Sequence, residues 1–202
     1  PEIEFAIWLS IVTSTVSTAI CVALAIPAAY ALARYDFPAK KIVSLLLTVP
    51  LALPPLVAGI ALLIFFATTP WGKALDAAGF SVVFTPLGII VAEVFVNLPY
   101  MIRILKSSFA AINPRYENVA KTLGCTDGSA FLQVTLPLAR PGLVAGTAIT
   151  WAKAMGEFGA VLMLAGATMM RTETLPIALY LNISTGDLDL AVAAAVILIL
   201  IS

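Results

Sequence analysis

Four apolar stretches, at residues 5–33, 42–67, 86–105 and 142–165, constrain this chain more than any other feature. Each is near or beyond the ~20 residues that a helix rising about 1.5 Å per residue needs to cross ~30 Å of hydrocarbon. Hydrocarbon offers the backbone no hydrogen-bond partners, so stretches of this kind close their bonds internally as helices. With 61% hydrophobic and 11% charged residues and a mean hydropathy of +1.06, the chain is far from the usage of a water-soluble domain. The fold class expected is an all-α membrane protein, a polytopic helical bundle forming a single transmembrane domain over residues 1–202, with the lipid bilayer as its solvent. A fifth apolar run starts at Leu190 and stops at Ser202, too short to span, so the natural chain is expected to continue beyond it.

No basic leader with a small-residue cleavage site opens the chain, and Pro1 is expected to follow a missing segment. Orientation follows from lysine and arginine, which are retained on the cytoplasmic side. Arg34, Lys40 and Lys41 mark residues 34–41 as cytoplasmic, and Lys106, Arg115, Lys121 and Arg140 mark 106–140. The 68–85 connection holds only Lys73, near Asp76, and the connection after 166 sets only Arg171 against Glu173, Asp187 and Asp189. These two are expected outside. Alternation then places Pro1 outside as well, with one more helix before it in an intact chain. Cys21 and Cys125 fall in different environments, so no disulfide is expected, and neither makes a metal site.

Pro50, Pro54 and Pro55 interrupt the second apolar block by removing backbone donors, giving either a static kink or part of a gate. Pro27 and Pro99 raise the same question. In the fourth block Ala148, Ala152, Gly156 and Ala160 recur every four residues, a small-residue stripe that predicts close helix packing. Beside it lie Lys153 and Glu157, one turn apart, at a depth where a lone charge costs about 2.5–3.5 kcal/mol. Glu93 in the third block falls at a similar level. One cluster of Glu93, Lys153 and Glu157 is expected, either as an ion pair that holds helices together or as the polar lining of a translocation path.

Residues 115–131 are polar and potentially helical, with Val119, Ala120, Leu123 and Gly124 on one side. That small apolar face lacks the aromatics and basic flank of a lipid-surface helix, and fits a groove on a soluble partner instead. Its residue order resembles the EAA loop of permease subunits of prokaryotic ATP-binding cassette importers. The pattern there is Glu-Ala-Ala, three residues, Gly, nine residues, an aliphatic, one residue, Leu-Pro. Here Asn118, Val119 and Ala120 take the first three places, Gly124 the glycine, Val134 the aliphatic, and Leu136 and Pro137 the ending. Asn118 and Val119 depart from the pattern, and Glu117 stands one place before its glutamate.

WAKAMGEFGAVLML followed by TETLPIALYL, with the PLALPPLVAGIALL run, is similar to the permeases of molybdate, tungstate and sulfate importers. The resemblance implies a homodimer of such chains, two ATP-binding subunits inside and a substrate-binding protein outside. It makes 115–131 a cytoplasmic coupling helix in which Glu117, Asn118, Val119, Ala120, Leu123 and Gly124, with Leu136 and Pro137, engage the ATPase. ATP and Mg are then bound by that partner, and this chain has no cofactor, no metal and no catalytic residue. No G-x-x-x-x-G-K-[ST] phosphate loop occurs in it, and without histidine it has neither a His-based metal motif nor a His-activated nucleophile. No nucleic-acid partner is expected. A channel or secondary transporter also uses broken helices and buried charges, but leaves the 117–137 spacing without explanation.

Overall fold

The computed structural model describes residues 2–202, so the expectation that Pro1 faces outward concerns a residue outside those described. Helices account for every regular element among them. In chain order these are α1 (Glu2–Arg34), α2 (Lys40–Ala52), α3 (Pro55–Thr68), α4 (Pro70–Ala77), α5 (Pro86–Ala111), α6 (Arg115–Thr122) and α7 (Asp127–Ala130). A π-helical turn (Phe131–Thr135) and α8 (Leu136–Leu138) lead into α9 (Arg140–Met155), α10 (Gly159–Ala165), α11 (Leu175–Thr185) and α12 (Leu188–Ile201).

Two long apolar helices, α1 and α5, form the backbone of the bundle, and both are long enough to cross a membrane. They run in the same direction, as paired contacts along their length require. Thr13 meets Glu93, the Cys21 thiol faces the Val94 carbonyl, and Arg34 reaches the Ile112 carbonyl just past α5. Next to them α9 runs the opposite way. Gly146 lies against Met101 and Ile104, the Thr150 hydroxyl against the Met101 sulfur, and the Trp151 indole donates to Thr15. A buried cluster built on Cys21, Ala25, Ala29, Met101, Leu105 and Phe109 fills the α6 end of this unit. Another, around Ile89, Ala92, Val161, Leu164 and Ile177, fills the opposite end.

Local sequence explains several starts and stops. Thr69-Pro70-Trp71-Gly72 and Thr85-Pro86-Leu87-Gly88 share one pattern, in which a threonine side chain caps the glycine N–H and proline opens the helix. The glycine also lets the first turn sit against the preceding backbone: a Cβ at Gly72 or Gly88 would collide with the carbonyl of Phe66 or Val82.

The second and fourth apolar blocks are not straight crossings. Proline breaks the second into α2 and α3, whose axes meet at 111°. Pro54 precedes a proline that starts α3, Pro55, which fixes the break, while Pro50 stays inside α2. The fourth is bent by 56° between α9 and α10. The small-residue stripe is corrected accordingly: α9 ends at Met155, so Ala148, Ala152, Gly156 and Ala160 do not share one helix face. The face of α9 that is buried carries Gly146, Thr150 and Ala154 instead. Both cysteines are free, Cys21 buried and Cys125 partly exposed.

Close backbone approach does hold α10 in place, through a glycine outside the stripe. A Cβ at Gly59 in α3 would lie 2.7 Å from the Met163 Cβ and 2.8 Å from the Ala160 backbone. Gly59→Val is therefore expected to force α3 from α10, costing about 1–3 kcal/mol as overpacking. Thermal unfolding in detergent checks this, with Gly128→Ala, whose added methyl meets nothing within 4 Å, as the variant expected to match the parent.

Candidate functional site

The polar segment after α5 folds as α6, eight residues long, followed by a sharp reversal. Gly124 ends it with φ +95, backbone in the left-handed half of the map. The Cys125 N–H donates to the Ala120 carbonyl at 3.0 Å and the Gly124 N–H to that of Lys121 at 3.0 Å. This paired closure is the Schellman arrangement, in which glycine follows the last helical turn. The motif glycine is thus a helix terminator, and the expected single helix over 115–131 is corrected to α6, a turn, and a new start. Thr126 caps the restart by accepting from the Ser129 N–H at 3.3 Å, and Lys121 and Asp127 pair across the turn at 2.6 Å.

Within α6 the structure separates residues that the sequence reading grouped together. Asn118, Val119, Leu123 and Gly124 are exposed, and Leu123 leaves 81% of its surface free. Ala120 is buried, and so is Glu117 at 4% exposure. A contact of Glu117 with a partner is corrected: its carboxylate points into the bundle. Arg34 Nε donates to Oε1 at 2.9 Å, the Tyr30 hydroxyl to Oε2 at 2.9 Å, and the Thr135 hydroxyl to Oε1 at 2.6 Å. Arg34 also donates through Nη2 to the Ile112 carbonyl at 3.0 Å, bridging to the end of α5. One carboxylate therefore ties α6 to α1, to the α5 exit and to the π-helical turn.

Tyr30, Arg34 and Thr135 are the residues that sequence reasoning missed. They lie 87, 83 and 18 positions from Glu117, and no periodicity links such distances. Burial raises the affinity of the Glu117 carboxyl for a proton. The hydrogen bonds from Thr135, Tyr30 and Arg34, with the guanidinium charge, outweigh it and hold the carboxyl below its usual range.

Leu136 and Pro137 lie outside α6, on the helical run that returns to the bundle, Leu136 partly buried and Pro137 exposed. The π turn explains how proline is tolerated there. The Leu136 N–H reaches back five residues to the Phe131 carbonyl, and this wider turn relieves the clash of a proline ring with an α-helical backbone.

Glu93, Glu157 and Lys153 lie near enough to feel one another's charge, but no ion pair within 4 Å joins them among the described residues. Glu93 is buried between α1 and α5, taking the Thr13 hydroxyl at 3.2 Å within a row of Ser10, Thr13, Ser14 and Ser17. Glu157 accepts the Ala160 N–H at 3.2 Å, helping to start α10 after the bend. Lys153 is exposed, with its ammonium 5.2 Å from the centre of the Tyr100 ring. Among the described residues the ion pairs are Arg34–Glu117, Lys40–Asp36 and Lys121–Asp127, so the pairing of Lys153 with Glu157 is corrected. α9 ends at Met155, so Lys153 and Glu157 do not share one helix and the one-turn spacing does not bring them to ion-pair distance.

A family model described as binding-protein-dependent transport system inner membrane component matches residues 6–202. The molybdenum transport system permease protein ModB of Mycobacterium tuberculosis is 40% identical over 203 residues, covering 100% of this chain and 76% of that protein. The sulfate transport system permease protein CysT of Escherichia coli is 35% identical over 172 residues, covering 85% of this chain and 62% of that one. Among solved structures, a bacterial alginate ABC transporter in complex with alginate pentasaccharide-bound periplasmic protein superposes with a TM-score of 0.79. The match covers 100% of this chain and 74% of the other at 17% identity, a likeness of fold.

Arg34→Met leaves Glu117 buried without its cation, a loss expected to cost about 3–5 kcal/mol. Hydrogen exchange over 115–122 should quicken strongly in that variant and less in Glu117→Gln, which keeps a neutral partner for Tyr30 and Thr135. The pH dependence has a definite sign. Because the folded carboxyl titrates below the unfolded one, its contribution is complete above the ordinary carboxyl range and is lost as pH falls through the folded value. Acid should release α6 in the parent, and Glu117→Gln should show no such step.

Proposed function

This chain belongs to the family of binding-protein-dependent transport system inner membrane components, and we propose that it is the membrane-spanning subunit of an ATP-driven importer for molybdate or tungstate, delivered by an external binding protein. The full-length similarity to a molybdenum permease carries this reading of the substrate. In the assembly proposed, two copies of the chain sit in the cell membrane, each against one of two ATP-binding subunits in the cytoplasm. ATP and Mg belong to those subunits, and the permease moves without hydrolysing.

The part of the chain that meets the motor is α6, with residues 34–41 and 106–140 on the cytoplasmic side. Exposed Tyr116, Val119 and Leu123 offer apolar surface where Asn118 and Thr122 are polar, a small helix-in-groove epitope. Burying a leucine such as Leu123 in a partner cleft contributes about 1.5–3 kcal/mol. Glu117 and Ala120 work on the buried side, where they make α6 move with α1 and α5 rather than swing alone. Force applied at Leu123 then passes through the Glu117 carboxylate to Arg34 and Tyr30 on α1, and through Arg34 to the end of α5. The 111° break at Pro54 and Pro55 and the bend at Gly156 fit the gate reading, since both set short helices, α3 and α10, against each other. For Glu93 the buried, helix-joining role is favoured, and Lys153, exposed on this subunit, is the residue proposed for a polar path.

The second reading, a sulfate or thiosulfate importer, is favoured by the relative that bears the sulfate name, which matches less of this chain at lower identity. Competition of tungstate, molybdate and sulfate for the cognate external protein decides between them, and a preference for sulfate overturns the first.

Leu123→Asp is expected to weaken attachment of the ATP-binding subunits at least about tenfold, or about 1.4 kcal/mol, with uptake falling in parallel. Co-purification from membranes together with ATP-dependent molybdate uptake measures both. Unchanged attachment would remove α6 from the motor contact.

A further inference from the structure

We propose that the end of the subunit opposite α6 carries a transient oxyanion site formed by Lys73 and Arg171, a proposal that rests on the oxyanion reading of the substrate. α5 fixes its position: 26 residues, about 39 Å of helix, separate its start at Pro86 beside the site from its end before α6. In sequence each cation has an acidic neighbour expected to neutralise it, Asp76 for Lys73 and Glu173 for Arg171. The fold takes Glu173 away and leaves Asp76 at the cavity wall, held by a hydroxyl. Glu173 turns inward to 2% exposure, where its carboxylate accepts the Met170 N–H at 3.0 Å. Asp76 is engaged by the Ser81 hydroxyl. Neither Lys73 nor Arg171 forms an ion pair among the described residues.

Both cations line one partly enclosed cavity of about 370 Å³, Lys73 from α4 and Arg171 from the loop before α11. Phe66, Val82 and Val83 give it apolar walls, which concentrate the field of the two charges. Two cations, with the Ser81 and Thr85 hydroxyls beside them, suit a compact dianion. Asp76 also lines the cavity and opposes tight retention. A site that passes its ligand onward must hold it weakly enough to release it, and one carboxylate beside two cations meets that need.

The test uses the whole transporter in spheroplasts, with Ala67→Cys placing a thiol on the cavity wall and impermeant methanethiosulfonate reagents added outside. An anionic reagent should label this thiol at least about threefold faster than a cationic one. Lys73→Gln with Arg171→Gln should remove that preference. Added molybdate should slow labelling, and Asp76→Asn should lower the concentration required. Uptake by the Lys73→Gln, Arg171→Gln variant should fall at least about threefold while its affinity for the binding protein is unchanged. Equal labelling rates in the Ala67→Cys parent overturn the site, as does an uptake defect that tracks lost binding-protein affinity, which would make the two cations docking contacts. If the unaltered transporter takes up sulfate and not molybdate, and sulfate protects the thiol, the substrate reading fails and the oxyanion site stands. Uptake of molybdate by the unaltered transporter with no protection by either oxyanion defeats the site alone.

Discussion

A carboxylate shut away from water must be compensated where it stands, and the architecture at the α6 end of this subunit follows from how Glu117 is compensated. Its oxygens take three donors from two distant parts of the chain, and the guanidinium that supplies the charge also closes the end of α5. Replace that carboxylate by a solvent-facing one and α6 becomes a short helix with little to hold it, since an isolated helix of eight residues is unstable in water. A lever must be stiff at its attachment as well as sticky at its tip. In the coupling role proposed for α6, Glu117 supplies the first property from its buried side and Leu123 the second from its exposed end.

Helix contact in the rest of the bundle uses a different rule. Lipid gives helices no hydrophobic reason to associate, so contact depends on small residues and on hydroxyls that satisfy one another or their own carbonyls. Ser14 donates to the Ser10 carbonyl at 2.6 Å, the Ser10 hydroxyl takes the Leu175 N–H at 2.8 Å, and Thr13 donates to Glu93. Polar α1 residues thus join α5 and the start of α11, while Gly59 and Gly146 let helices meet at backbone distance.

Much of this was legible in the chain itself. Length and apolarity gave helices at every block, the proline run marked the break in the second block, and the polar composition of the 117–137 segment marked a helix set apart from the apolar blocks, though not its early end at Gly124. Residues whose role depends on a partner far along the chain were not legible. Glu117 looked like a surface acid because it borders exposed neighbours, yet Arg34 and Tyr30 draw it inward. Lys153 and Glu157 looked paired because helical spacing was carried past Met155, where the helix stops. Val119 and Ala120 fall on opposite sides of the water boundary, although the helical pattern placed them together.

The turn at Phe131–Thr135 carries a consequence for everything after it. A π turn holds one residue more than an α turn, so it rotates the following side chains by roughly 100° about the axis. Arg140–Met155 follows it after α8 and a one-residue turn at Ala139, and its Gly146 meets Met101. Deleting a single residue there would leave a more regular helix whose small residues look the wrong way. Irregularity at one point is what phases the returning helix to its neighbours.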